Sequence, residues 1–320
     1  MIRTTDPLVA AEALKAGGLI ALPTETVYGL GADAANGEAV QRIFAAKGRP
    51  ANHPLIVHVA TVEAAYRWCA LSPRQRLLFD LLAHAFWPGP LTLIVPRSAK
   101  AAPETVGQAD TIGIRVPAHP MARAILDAFD GGVAAPSANR FGKVSPTTAD
   151  HVIDDLGEAV DVVVDGGPSN VGVESTIVSL VGDRPRLLRP GGVSRAQIES
   201  VLDEPLDEAT NTTKVRAPGM LPSHYAPEAA VVVVTADELR ARLAAGEGGD
   251  SVGVLAPFVV NHQPSWVTAS DAESFAAHLY ENLRRADRAE VEVLLIVPPV
   301  HGVLLEAVVD RLTKAAAAAG

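Results

Sequence analysis

Chemically capable side chains concentrate in a few short segments between residues 23 and 191. Pro23-Thr24-Glu25-Thr26-Val27-Tyr28-Gly29-Leu30-Gly31 sets two hydroxyls and a carboxylate directly after an apolar run. Open α/β sheets collect ligands at strand ends, and Gly29 and Gly31 would let backbone amides approach a ligand closely. The plain alternative is an ordinary polar strand-to-helix loop. A dinucleotide fingerprint fits poorly, because Asn36-Gly37 interrupts the helix that should follow. Lys47-Gly48-Arg49-Pro50-Ala51 then places two cations at a helix end, ahead of an apolar run that closes on His58. The pair suits phosphate; Gly48 as a C-cap and Lys47 as a complement to the helix dipole explain it equally without a ligand. His53 and His58 have no third neighbouring ligand, so a zinc site is a poor fit.

Arg115 sits in Ile112-Gly113-Ile114-Arg115-Val116-Pro117, an otherwise apolar strand. A lone charge there is costly to bury. Arg115 therefore either pairs with an internal carboxylate or meets the carboxylate or phosphate of a ligand through its planar fork. Ala134-Ala135-Pro136-Ser137-Ala138-Asn139, followed by Arg140, Lys143 and Ser145, supplies small residues, hydroxyls, an amide and cations after a strand. That composition suits a nucleotide and its phosphates, and it equally suits a surface turn leading to an N-cap at Thr147 or Thr148. Ser175 and Thr176 enter one strand, and Arg189 leaves another. Further on, His224 and Tyr225 are polar aromatics that can close over a site or simply belong to a linker. Phosphate-loop, HExxH, GxSxG and paired-cysteine motifs are absent from the sequence. The residues alone support an α/β domain that binds an anion or a nucleotide.

Short Val-, Ile- and Leu-rich runs alternating with helical patterns position these segments, which argues for an α/β architecture. Strands are expected at 19–22, 55–59, 91–95, 112–116, 133–135, 162–164, 176–180 and 186–188. Helices are expected at 7–16, 38–46, 73–86, 120–128, 148–156 and 195–202. Several strands between 162 and 188 follow one another without a helix, so the first sheet should be mixed. Domain 1–205 is followed by a Pro-rich linker at 206–229. Residues 230–320 read as a β-α-β-α-β-α unit, most simply a three-stranded parallel Rossmann-like layer. The 320 residues are 48% hydrophobic and 20% charged, which excludes general disorder. Aromatics are few (7 Phe, 4 Tyr, 3 Trp), leaving the core to Ala, Val, Leu and Ile. A net charge of −10 disfavours nucleic-acid binding by bulk charge. The single cysteine, Cys69, excludes an internal disulfide and fits a reducing compartment. With no apolar run near the roughly 20 residues of a membrane span, and no signal-peptide pattern, a cytoplasmic protein without a membrane partner is expected.

Taken together, the segments resemble the YrdC-type family, the threonylcarbamoyl-AMP synthases of tRNA modification. PTETVYGLG at 23–31, KGRPANHPLIVH at 47–58, WPGPLT at 87–92, IRVPAHP at 114–120, APSAN at 135–139, DGG at 165–167, GVESTI at 172–177 and LRPG at 188–191 come in family order. APGMLPSHYAP at 217–227 and the α/β segment after it look like the longer, two-domain form. The resemblance implies a YrdC-like mixed twisted sheet with flanking helices. It also implies synthesis of threonylcarbamoyl-AMP and pyrophosphate from L-threonine, bicarbonate or CO2, and ATP with Mg2+. A downstream threonylcarbamoyl transferase would pass the group to tRNA, which this chain would meet only indirectly. No side-chain nucleophile and no protein metal ligand is implied, because alignment and charge neutralisation suffice. By the same resemblance Thr24, His58, Arg115 and Ser175 would hold threonine. Lys47, Arg49, Ala51, Thr111, Ser137, Asn139, Ser145 and Arg189 would hold ATP, with His224 and Tyr225 covering it. Leu221-Pro222-Ser223 stands where family members often carry a basic or aromatic residue, which removes support for extra phosphate contacts from the linker. Two competitors remain: a non-catalytic nucleotide- or RNA-binding regulator of translation, disfavoured by charge and few aromatics, and carbamoyl transfer from carbamoyl phosphate, disfavoured by the lone cysteine.

Overall fold

The computed structural model describes residues 1–51, 53–209, 215, 217–219 and 224–317. The chain divides into two compact units: 1–141, 146–170 and 174–220 form the first, while 142–145, 171–173 and 221–320 form the second. Much of the expected linker, at 210–214, 216 and 220–223, lies outside the described residues, as do 318–320 of the terminal alanine tract.

The first unit runs β1 (Ile2–Thr4), α1 (Pro7–Lys15), β2 (Ile20–Leu22), β3 (Gly29–Asp33), α2 (Gly37–Lys47) and β4 (Ile56–His58). It continues through α3 (Val62–Tyr66), α4 (Pro73–Phe86), β5 (Leu91–Pro96), β6 (Thr111–Arg115), α5 (Pro120–Phe129) and β7 (Val133–Ala134). It ends with α6 (Ala149–Leu156), β8 (Val162–Val164), β9 (Thr176–Ser179), β10 (Arg186–Arg189), α7 (Arg195–Leu202) and β11 (Asp207–Glu208). The strands form one mixed eleven-stranded sheet in the order β1-β8-β2-β3-β7-β4-β6-β5-β9-β10-β11.

Period-two alternation explains how both faces are covered. Along β2, Leu19 and Ala21 join one core cluster, whereas Ile20 and Leu22 join another with Ala10 and Leu14 of α1 and Ile125 and Leu126 of α5. Val163 of β8 faces the first cluster, and Val162 and Val164 face the second. Helix ends obey local chemistry. Asp6 caps α1 ahead of Pro7, Ser72 and Gln75 form a reciprocal capping box on α4, and Gly48 closes α2 with φ 63°.

The sheet corrects one expectation. The segment after β2 does not lead into a helix: Gly29–Asp33 forms β3, antiparallel to β2 with Leu22 opposite Gly29 and Ile20 opposite Gly31. A Cβ on Gly31 would lie 2.8 Å from Val133 Cγ1 and 3.1 Å from Ile20 Cγ1, so this glycine serves close strand packing, not approach to a ligand.

The second unit comprises β12 (Ala230–Val233), α8 (Ala236–Ala244), β13 (Val252–Ala256), β14 (Ser265–Val267), α9 (Ala272–Arg288), β15 (Val293–Ile296) and α10 (Leu305–Ala316). Its parallel sheet has four strands, β12-β15-β13-β14, instead of the three expected. The added strand is the short edge Ser-Trp-Val, paired with β13. Among the described residues no helix is long and apolar enough to cross a membrane.

Candidate functional site

Parallel pairing of β4 with β6 sets His58 directly opposite Arg115 at the strands' C-terminal ends. The loop between β2 and β3 brings Thr24, Glu25 and Thr26 onto the same place. Arg115 donates through Nη1 to Thr26 Oγ1 (2.9 Å) and through Nε to the Gly89 carbonyl (3.1 Å). Its Nη2 lies 2.6 Å from Glu25 Oε1, with both side chains under a tenth exposed. The internal-carboxylate alternative for Arg115 is thus realised, and the partner is Glu25. Thr24 Oγ1 is 2.8 Å from Thr26 Oγ1, so the two hydroxyls form one connected pair beneath the guanidinium.

Burial by itself would push the Glu25 carboxyl up, but the Arg115 guanidinium beside it holds it below the usual carboxylate range. Burial, reinforced by the Arg115 charge, drives His58 down to about 3, so its ring is neutral at physiological pH. A neutral imidazole, a mutually neutralised Glu25–Arg115 pair and two hydroxyls therefore line this end of β4 and β6.

A second cluster adjoins through β5, which begins just after Gly89. Ser175 Oγ lies 2.8 Å from Thr92 Oγ1. Arg189, leaving β10, donates through Nε (3.1 Å) and Nη2 (2.9 Å) to the Ser175 carbonyl and through Nη2 (3.1 Å) to its hydroxyl. The remaining Nη1 donates to the Pro218 carbonyl at 3.2 Å, tying the 217–219 stretch to this cluster. The 190–192 turn passes very close: a Cβ on Gly191 would sit 2.3 Å from the Glu174 carbonyl oxygen and 2.4 Å from the Thr176 nitrogen.

The third cluster forms where the loop after β7 meets the end of α2. Leu30 N donates to Pro136 O, and Ala138 N donates to Tyr28 O, which locks that loop against the 23–28 segment. Buried Lys47 donates from Nζ to the carbonyls of Ser137 and Asn139. Burial, with Arg49 nearby, pushes the Lys47 ammonium well below its ordinary value. Arg49 donates to Pro54 O at 3.3 Å and lies 5.9 Å from the Phe141 ring centroid.

The structure thus gathers Thr24, His58, Arg115, Ser175, Arg189, Ser137 and Asn139 at linked strand ends of the first unit, with Lys47 reaching the Ser137–Asn139 loop from the end of α2 and Arg49 two residues further along the chain. Ala51 is an exposed turn residue. Thr111 opens β6 opposite Pro96, four residues before Arg115 and so ~13 Å along the strand from it. Ser145, His224 and Tyr225 belong to the second unit. There Tyr225, with φ 62°, stacks on Tyr280 at 5.9 Å between centroids and lies under the Arg311 guanidinium at 4.9 Å. Glu25, Thr26 and Thr92 were present in the motifs without an assigned task. The usable signal was Arg115 itself, since a buried guanidinium demands an acid, although only the fold shows that the acid is Glu25.

The mixed sheet, with hydroxyls and guanidinium groups gathered at neighbouring strand ends, defines an α/β protein whose polar side chains concentrate at one place in the first unit. Residues 12–191 match the sequence profile of the Sua5/YciO/YrdC family, described as telomere recombination, and residues 193–317 match that of the threonylcarbamoyl-AMP synthase C-terminal domain. The chain belongs to the Sua5/YciO/YrdC family. A threonylcarbamoyl-AMP synthase of Pyrococcus abyssi is 40% identical over 318 residues, covering 96% of this chain and 93% of its own. One of Bacillus subtilis is 40% identical over 333 residues, covering 98% and 94%. The crystal structure of P. abyssi Sua5 complexed with L-threonine matches with a TM-score of 0.91 at 37% identity, covering 99% of this chain and 98% of that one.

Proposed function

We propose that this chain is an L-threonylcarbamoyladenylate synthase, a nucleotidyltransferase that makes threonylcarbamoyl-AMP and pyrophosphate for threonylcarbamoyladenosine formation in tRNA. The observation that carries the reading is the near-full-length likeness to synthases of that name, one of them holding L-threonine in its crystal structure. The threonine amine takes up CO2 as a carbamate, and a carbamate oxygen attacks the α-phosphorus of ATP. Such a reaction asks the protein for positioning and charge neutralisation, and the strand-end clusters supply both.

In this reading Thr24, His58, Arg115 and Ser175 hold threonine, with Arg115 turning its fork to the carboxylate. Arg49 and Arg189 face the phosphates, while Lys47 holds the Ser137–Asn139 loop in the shape the nucleotide needs. Ala51 and Thr111 belong to the same proposed nucleotide set within the first unit. In this reading Mg2+ arrives with the ATP phosphates as part of the substrate. A downstream transferase consumes the product.

The test mixes purified protein with ATP, Mg2+, bicarbonate and L-threonine and follows pyrophosphate and the labile adenylate by mass spectrometry. Adenylate that depends on both threonine and bicarbonate is expected. Intact ATP, with the nucleotide shown to bind, would replace this reading with a regulatory nucleotide binder.

A further inference from the structure

Four buried polar atoms on three neighbouring side chains lack a well-directed hydrogen bond: Glu25 Oε1 and Oε2, Arg115 Nη2 and His58 Nδ1. Glu25 and Arg115 approach to 2.6 Å, yet as a charge contact and not as an aligned N–H···O bond. The backbone amides of Glu25 and Ala118 favour the charged carboxyl without aligning on it. A buried ion pair whose lone pairs and protons stay unsatisfied is unfavourable, and such orphaned groups call for an explanation. The missing partner must bring negative charge to Nη2 and positively charged donors to the carboxylate. A zwitterionic α-amino acid has that pattern, with its carboxylate and ammonium on one carbon.

We propose that Glu25 receives the α-ammonium of the bound amino acid and accepts its first proton as the nitrogen is carbamoylated, while Arg115 turns to the ligand's carboxylate. This deepens the proposed reaction and rests on it. In the free protein Arg115 is the counter-charge that keeps Glu25 ionised. Once Arg115 is shared with the ligand's carboxylate, burial acts on Glu25 with less opposition, and the carboxylate becomes a stronger base when a base is required. The ammonium gives one proton to Glu25, leaving R–NH2 and a neutral carboxyl. The nitrogen lone pair then forms the N–C bond to CO2 as one C–O π bond opens, and the second N–H proton leaves to water. The sum is R–NH3+ + CO2 → R–NH–COO− + 2 H+, with the Glu25 proton released afterwards. The charged or titratable groups facing Glu25 are Arg115 on β6 and His58 on β4. The neutral His58 ring, hard to protonate, lines the site without competing as the acceptor.

The test titrates the intact protein calorimetrically with L-threonine and with the analogue carrying a hydroxyl in place of the amine. Wild type should bind threonine about tenfold or more tighter than the analogue, since a charged hydrogen bond is at stake. Glu25→Gln should abolish that preference, and Glu25→Asp should retain part of it. Adenylate formation by Glu25→Gln should also recover as pH rises above about 9, where the free amino acid, whose own carboxylate holds its ammonium above the value of a peptide N-terminus, becomes an amine that needs no acceptor. Equal weakening of both ligands by Glu25→Gln with no alkaline recovery would make Glu25 a structural partner of Arg115 and overturn the inference. Equal binding of the two ligands by wild type would overturn it without any variant, while the absence of threonine-dependent pyrophosphate from wild type would overturn the reaction beneath it.

Discussion

Arg189 shows what a single side chain contributes through shape. Its guanidinium reaches the Ser175 carbonyl and hydroxyl and the Pro218 carbonyl from one rigid plane. A lysine keeps the charge but cannot make this fork. Arg189→Lys should therefore lower adenylate formation by about 10- to 100-fold, a loss of ~1.4 to 3 kcal/mol. The KM for ATP measured in the same assay should rise, and an unchanged KM would remove Arg189 from the nucleotide. Lys47 tests the opposite case, a cation that works through the backbone. Both carbonyls it binds belong to the loop bearing Ser137 and Asn139. Lys47→Met fills a similar volume and leaves those carbonyls unpaired. We expect weaker ATP binding by calorimetry together with a melting temperature several degrees lower, because buried unpaired carbonyls cost about 1–3 kcal/mol. A variant that loses ATP affinity at unchanged stability would instead put the ammonium on the phosphates.

Among the elements, legibility followed local chemistry. Helices α4 and α7 were readable to the residue because Ser72 with Gln75 and Ser194 with Gln197 announce their starts. Strand β8 was equally plain, three valines buried on both faces. Strand β3 was hidden because Gly29 and Gly31 weaken every strand signal, and their reason lies across the sheet, in Val133, Ile20 and Ala135. The edge strand β14 was too short to announce itself. Of the site, the segments were legible but the pairing of Arg115 with Glu25 was not, since it needs the β4–β6 register and the fold of the 23–28 loop together. The turn after β10 yields a prediction of the same kind. Gly191 has a negative-φ backbone, so its constraint is space alone: a Cβ would strike Glu174 O and Thr176 N. Gly191→Ala must push the 190–192 turn off the Ser175 segment and loosen the Arg189 bonds. Activity should fall at least tenfold, and amide exchange at Ser175 and Thr176 should quicken. Exchange at wild-type rates would show that the turn yields elsewhere.

Across the whole molecule, the buried histidine makes acid stability a readout of the site. The ordinary histidine value is 6.5, and in the fold His58 is held at about 3. Between those values the unfolded chain binds a proton that the folded chain refuses, so stability rises with pH through that window and is lost as pH falls from 6.5 toward 3. The difference corresponds to at most ~4 to 5 kcal/mol at neutral pH. Glu25 acts in the same direction: its lowered value means that the fold favours the ionised over the protonated carboxyl, and that preference is lost as pH falls through the carboxylate range. In the second unit, burial raises Asp287, a contribution that works oppositely and is lost as pH rises through its titration. The acid sensitivity should therefore belong to the first unit, whose core holds Trp68 and Trp87, two of the three tryptophans. Thermal melts followed by tryptophan emission between pH 4 and 7.5 should lose melting temperature steadily below pH 6.5. His58→Asn, which cannot take up a proton, should show a visibly shallower loss across pH 5 to 6.5, whatever its melting temperature at pH 7.5. Parallel curves for the two proteins would mean that His58 titrates near its ordinary value, and that its ring is not shut away from water at the ends of β4 and β6.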